Sequence, residues 1–149
     1  MNYGQFPLRE VTGDRWHDRD VPAMLTEDGD YIVYHGTSWK LSAKIISERT
    51  LLHDDMRCVG ITTHPSEASI YGIMKAMKEG KNPKNPSTVL RVVIEKEWLD
   101  SQTIQREVGG SGRNQFLINI DKVPPEAIKD ICVAGVRGSY LRAYSYKGK

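Results

Sequence analysis

Cysteine is scarce in this chain: there are two, Cys58 and Cys132, widely separated and with no Cys-x-x-Cys spacing. That excludes a disulfide-built scaffold and a cysteine-rich zinc site. Both thiols are expected reduced and buried, which favours a cytoplasmic setting, although spacing alone does not forbid a single bridge. The four histidines, His17, His35, His53 and His64, include no i, i+4 pair of the kind that ligates zinc from a helix, so no metal is expected. An excess of charge of one sign is missing as well: 21 basic against 19 acidic residues leave a net +2. This balance carries no global signature of a nucleic-acid binder. No apolar run approaches the length of a membrane span, and Met1 to Pro7 has neither the basic region nor the apolar core of a secretory signal. No membrane partner is therefore expected. Gly-x-Ser-x-Gly, a Walker loop and a dinucleotide fingerprint are all missing. Gly109 to Gly112 is glycine-rich, but it has no P-loop lysine and opens no helix.

What is present reads as one α+β domain. The chain has 149 residues, enough to bury a core without disulfides. Residues 1–28 are polar and without clear period, and are read as an arm with little secondary structure; residues 29–149 carry the domain. Asp28-Gly29-Asp30 signals a turn. Tyr31 to Tyr34 is β-branched and aromatic, a short buried strand. Residues 39–49 have Leu41, Ile45 and Ile46 on one side of a helix, with Ser38 as its N-cap. Cys58 to Thr63 reads as a short strand. A second helix starts at His64-Pro65, with Ala68, Tyr71, Met74 and Met77 sharing a face and Gly80 as its end. Residues 81–86 are a proline-bearing loop. Ser87 to Ile94 is the clearest strand in the chain. Gln115 to Ile120 alternates, with Phe116, Ile118 and Ile120 facing one way and Gln115, Leu117 and Asn119 the other. Pro124-Pro125 is a stiff connector, Asp130 to Val136 a last strand, and the tail from Ser139 an edge strand or a frayed end. Short strands with helices between the early ones point to an α+β arrangement without a regular βαβ series.

Three stretches carry groups that could do chemistry. His35-Gly36-Thr37-Ser38 ends the first strand: an imidazole, a residue with no Cβ to obstruct close approach, and two hydroxyls. Read alone, it is an ordinary strand-to-helix turn with a satisfied histidine. Gly60-Ile61-Thr62-Thr63 is followed by Ala68 to Gly72, where Tyr71 read alone is a core aromatic. Asn114-Gln115-Phe116-Leu117-Ile118 is third, where Gln115 read alone is an exposed strand residue.

In order and spacing the three stretches together resemble the ADP-ribosyltransferase fold, in the branch of diphtheria-like toxins and poly(ADP-ribose) polymerases. His35-Gly36-Thr37 is similar to the family's His-Gly-(Thr/Ser) strand end. Gly60-Ile61 and Ala68 to Tyr71 are similar to its second strand and Ala-x-x-Tyr helix. Asn114 to Ile118 is similar to its Asn-Glu-Tyr-(Ile/Leu)-(Val/Ile) strand except at the acid, and Val123 to Ile128 resembles the continuation. The resemblance spans residues 31 to 131. It implies a split β-sheet with a cleft for NAD⁺ as co-substrate. His35 would hold the adenosine ribose, Gly36 the nicotinamide amide through its backbone, and Tyr71 would stack on the nicotinamide ring. Thr37 and Thr62 would complete the cofactor site, Thr62 standing where the family has a tyrosine. Gln115 stands at the position of the catalytic Glu. An amide accepts a hydrogen bond from a ribose hydroxyl but supplies no charge to a developing cation.

The expectation is a monomeric cytoplasmic ADP-ribosyltransferase that cleaves the nicotinamide–ribose bond and passes ADP-ribose to an acceptor, protein or nucleic acid, that the sequence does not name. His35 and Gln115 are the candidate catalytic residues, with Glu107 a second source of charge. Two alternatives are an RNA 2′-phosphotransferase-like enzyme, for which Arg57, Arg106 and Arg113 would serve, and a module that binds NAD or ADP-ribose without catalysis, as Gln115 suggests.

Overall fold

The structure is a computed structural model, which describes residues 3–4, 23–53, 57–63, 65–79, 86–108 and 114–137. Its centre is the antiparallel pair formed by β3 (Tyr31–Ser38) and β6 (Ser87–Ile94), in continuous register from Tyr31 opposite Ile94 to Ser38 opposite Ser87. Both strands are almost wholly buried, which explains why neither alternates in polarity. β10 (Ile128–Arg137) adds on the far side of β6, with register shifts after Ile128 and Val133. On the other side of β3 lie β2 (Ala23–Leu25) and then β1 (Tyr3–Gly4), giving a five-stranded sheet in the order β1-β2-β3-β6-β10.

β1 and β2 come from the first 28 residues, read from sequence as an arm with little secondary structure. β2 instead pairs with the start of β3, Met24 opposite Ile32 and Leu25 opposite Tyr31. Two or three residues of main-chain pairing leave no detectable period, so the signal was missing. The connection from β2 to β3 is the expected turn, in which Gly29, at φ +88°, donates to the Thr26 carbonyl (2.9 Å).

A second, three-stranded sheet has the order β5-β8-β7: β5 (Val59–Ile61), β8 (Asn114–Ile118) and β7 (Ile104–Val108). β4 (Leu51–Leu52) and β9 (Lys122–Val123) form a small ladder beside them. The main core lies between the two large sheets. Val33, Leu90 and Val92 come from one, and Val59, Phe116 and Ile118 from the other. Leu117 is buried too, so the two faces of β8 differ less than its alternation suggests.

Helix α1 (Trp39–Glu48) starts at Ser38, whose Oγ accepts from the Leu41 N–H (3.2 Å). It buries Ile45 with Leu41 and Ile46 beside it, and ends on Arg49 in the left-handed region (φ +55°). Helix α3 (Lys96–Asp100) sends Leu99 into the core, and a 3₁₀ turn over Pro125–Ala127 leads into β10.

Helix α2 (Pro65–Lys78) packs on β3 and β6, but not by the expected face. Ala68, Ser69, Gly72, Ile73 and Ala76 are buried, whereas Met74 and Met77 are 50% and 46% exposed. The reason is how close the helix comes. A Cβ on Gly36 would sit 1.8 Å from the Ala68 carbonyl oxygen, and one on Gly72 would meet Thr37 backbone atoms at 3.0 Å and 3.1 Å. Backbones this near admit only small side chains between them, so the larger methionines face outward.

The loops at 81–85 and 109–113, Gly80, His64 and the tail from Ser139 lie outside the described residues. Among the described residues no helix is long and apolar enough to cross a membrane.

Candidate functional site

Among the described residues the two large sheets exchange backbone hydrogen bonds at one point. Tyr34 and Thr62 form an isolated antiparallel bridge, exchanging both backbone hydrogen bonds at 2.8 Å and 2.9 Å. A longer ladder would next set Gly36 opposite Gly60. Among the described residues the backbone pairing is this one bridge, and the strands separate beyond it. Because strand residues two apart present their N–H and C=O to the same edge, the main-chain groups of Gly36 face the edge that Tyr34 shares with Thr62. A cavity of about 110 Å³ opens there, lined by His35, Gly36 and Gly60 with Tyr71 and Gln115.

His35 is the hinge of this arrangement. It is 2% exposed and its Nδ1 lies 2.7 Å from the Gly60 carbonyl oxygen. A carbonyl only accepts, so Nδ1 carries the proton and the bond ties β3 to β5 where their ladder has stopped. Burial, then the positive charge of Lys75, push the imidazole pKa down from 6.5 to about 3, while the Gly60 bond acts in the opposite sense. The ring is therefore neutral near pH 7, and Nε2 is a bare acceptor. Nε2 is buried and has no partner. So is Thr37 Oγ1, on the same face of β3, and Thr88 Oγ1 directly across on β6. Orphaned buried polar atoms are rare in folded proteins, and three among the described residues lie together on one face of β3 and β6.

His35 and Thr37 also line a second cavity of about 230 Å³, with Leu41 and Ile45 of α1 on one wall and Lys75 and Lys78 of α2 on another. The two cavities share His35, Lys75 and Lys78. Each alone is below the ~300 Å³ usual for a small-molecule site.

Gln115 sits on β8, diagonal to Gly60, with its amide over that glycine. A Cβ on Gly60 would lie 2.5 Å from Gln115 Oε1. The missing side chain of Gly60 thus makes the room that Gln115 occupies. Tyr71 is half-buried at the cavity wall on α2, not in the core.

Of the residues singled out from sequence, His35, Gly36, Tyr71 and Gln115 meet at the smaller cavity, and Thr37 joins His35 at the larger. Thr62 is 1% exposed and lines neither; its described bonds hold the bridge to Tyr34. Gly36 has a second role that its sequence position concealed, the close passage of α2. Lys75 and Lys78 were not singled out. They follow Tyr71 by four and seven residues, so helical spacing puts them on its face, and that was the available signal. Glu107 lies in β7 in register with Gln115. Arg57 is exposed, 3.6 Å from Asp121. Arg113 and the side chain of Arg106 lie outside what is described.

Among the described residues Cys58 and Cys132 form no disulfide; the first is buried and the second half-buried. Among the described residues no group of three or more His, Cys, Asp or Glu is placed to hold a metal ion.

No protein-family model matches this chain, and no curated protein matches it.

Proposed function

We propose that the chain is an NAD⁺-dependent ADP-ribosyltransferase built on an ADP-ribosyltransferase-like split sheet. One observation carries the reading. His35, Gly36, Tyr71 and Gln115, drawn from three separate stretches because their order resembles that family, line one cavity at the point where two sheets part. Nothing in local sequence periodicity requires a strand end, a helix face and a distant strand to converge.

The chemistry follows from the groups present. The bare Nε2 of His35 accepts from a ribose hydroxyl, and its depressed pKa keeps it able to do so. The main-chain N–H and C=O of Gly36, on the edge beyond the Tyr34–Thr62 bridge, offer a donor and an acceptor to the nicotinamide carboxamide. Tyr71 stacks on the pyridinium ring, whose positive charge suits an aromatic face. Gln115 accepts from a hydroxyl of the nicotinamide ribose. The bond from ribose C1′ to the ring nitrogen breaks, and its electron pair leaves with neutral nicotinamide. An acceptor nucleophile bonds to C1′ and gives up its proton. The acceptor is a protein or nucleic-acid group.

A second reading, a module that binds NAD or ADP-ribose without turning it over, is favoured by Gln115. An uncharged amide at this position removes electrostatic help worth on the order of 10²–10³ in rate. One pair of assays separates the two. Nicotinamide release from NAD⁺ is followed chromatographically for the wild type and for Gln115→Glu, with and without a cell lysate, and modified lysate components are identified by mass spectrometry. Transferase activity predicts release by the wild type and a rise of roughly 10²-fold in the variant. A silent wild type with an active variant selects the binding module. Silence in both, with no NAD⁺ binding by calorimetry, overturns the reading.

A further inference from the structure

The larger cavity has three kinds of wall. Leu41, Ile45 and Leu52 make one side apolar. His35 and Thr37 contribute two buried polar atoms without partners, one of which accepts only. Lys75 and Lys78, three residues apart on α2, bring two positive charges, against which Glu79 is the carboxylate at the rim and His53 the remaining titratable group. A ligand that satisfies all of this needs a flat apolar part, a hydroxyl to donate to His35 Nε2, and an anionic group within reach of two ammonium groups. A base, a ribose and a phosphate meet those needs in that order.

We propose that Lys75 and Lys78 form a phosphate subsite beside the His35–Thr37 hydroxyl acceptors, so that the cleft selects phosphorylated nucleosides over nucleosides and draws much of its affinity from the phosphate. The inference rests on the nucleotide-binding half of the function proposed above, and not on its chemical step.

Calorimetry on the full chain tests this with ADP and adenosine as probes at low and high salt. ADP is expected to bind at least about tenfold more tightly than adenosine, with the advantage shrinking as salt screens the lysines. The double variant Lys75→Met/Lys78→Met should erase the difference, and Lys75→Arg/Lys78→Arg should keep most of it, while both melt near the wild type. Equal affinity for ADP and adenosine overturns the proposal. So does an unaltered ADP advantage in the methionine variant, or a short single-stranded RNA that displaces ADP at lower concentration than adenosine diphosphate itself. Nicotinamide release without any ADP preference would sink the subsite and leave the transferase standing; an ADP preference without nicotinamide release would do the reverse.

Discussion

At the Tyr31 end of β3 the polar side chains are partnered with one another, whereas at the His35 end two buried polar atoms, His35 Nε2 and Thr37 Oγ1, have no partner. Tyr31 Oη donates to Asp100 Oδ1 at 2.7 Å, Lys96 Nζ lies 2.8 Å from Asp100 Oδ2 and 5.4 Å from the Tyr31 ring centre, and the Lys96 N–H donates to Asp30 Oδ1 at 3.2 Å. Burial, then the bond to Asp100 and its charge, raise the Tyr31 phenol far above its ordinary range, so it stays a donor at any physiological pH. This end even has a larger cavity, about 400 Å³ among Asp30, Lys96 and Lys129. Volume is therefore a poor guide to which end is the site. Four and six residues further along the same strand, His35 Nε2 and Thr37 Oγ1 have nothing to bond. A satisfied polar network stabilises the fold and is finished; an unsatisfied one costs stability and persists where a ligand supplies the missing partner.

The His35 end of β3 is most sensitive to substitution at Gly36. An alanine there would place its Cβ 1.8 Å from a backbone oxygen and 2.7 Å from the Gly72 nitrogen, neither of which can rotate away. Gly36→Ala should cost about 3 kcal/mol or more in chemical denaturation, at the upper end of overpacking effects, because α2 must lift off β3. A loss under about 1 kcal/mol would mean that the helix does not lie this close.

Acid should sharpen the contrast. Folded His35 takes up no proton until pH falls to about 3, while the unfolded chain does so near 6.5. Protons then favour the unfolded state across that window. The stabilisation is complete above pH 6.5 and drains away as pH drops toward 3, by on the order of 2–3 kcal/mol at pH 4. Denaturation midpoints measured from pH 7 to pH 4 should fall more steeply for the wild type than for His35→Gln. Parallel slopes would show that His35 titrates normally.

The smallest effects make the cleanest test, because they should cross. Tyr31→Phe removes a buried bond to a carboxylate and should cost roughly 1–3 kcal/mol of stability without changing nucleotide binding. Thr37→Val removes a hydroxyl that has no partner in the free protein. It should leave stability unchanged or raise it slightly, since an unpaired buried polar group is only a cost. It should weaken ADP or NAD⁺ binding measured by calorimetry. If Thr37→Val destabilises as much as Tyr31→Phe, the hydroxyl is structural and the two ends do not differ in kind.

The amino-acid sequence by itself determined the parts whose signals are local. Val and Ile from Ser87 to Ile94 specify a buried strand, Ser38 begins α1 where Leu41, Ile45 and Ile46 share a side, and Gly29 sits where the turn needs positive φ. The order of His35-Gly36-Thr37, Tyr71 and Gln115 was legible too, although nothing local showed that they converge. Only the tertiary structure decided which face of α2 is buried, that Thr62 bridges two sheets, that β2 joins the sheet edge, and that Lys75 and Lys78 flank the cavity. In each case the deciding contacts are made by main chain or by small or polar side chains, to which hydrophobic periodicity is blind. Periodicity reports where large apolar side chains lie, and α2 docks through Gly72 and Ala68 against Gly36, where close backbone approach takes the place of large side chains. Hydrophobic spacing therefore picked Met74 and Met77, while the helix turned its smallest residues inward and its lysines toward the cleft.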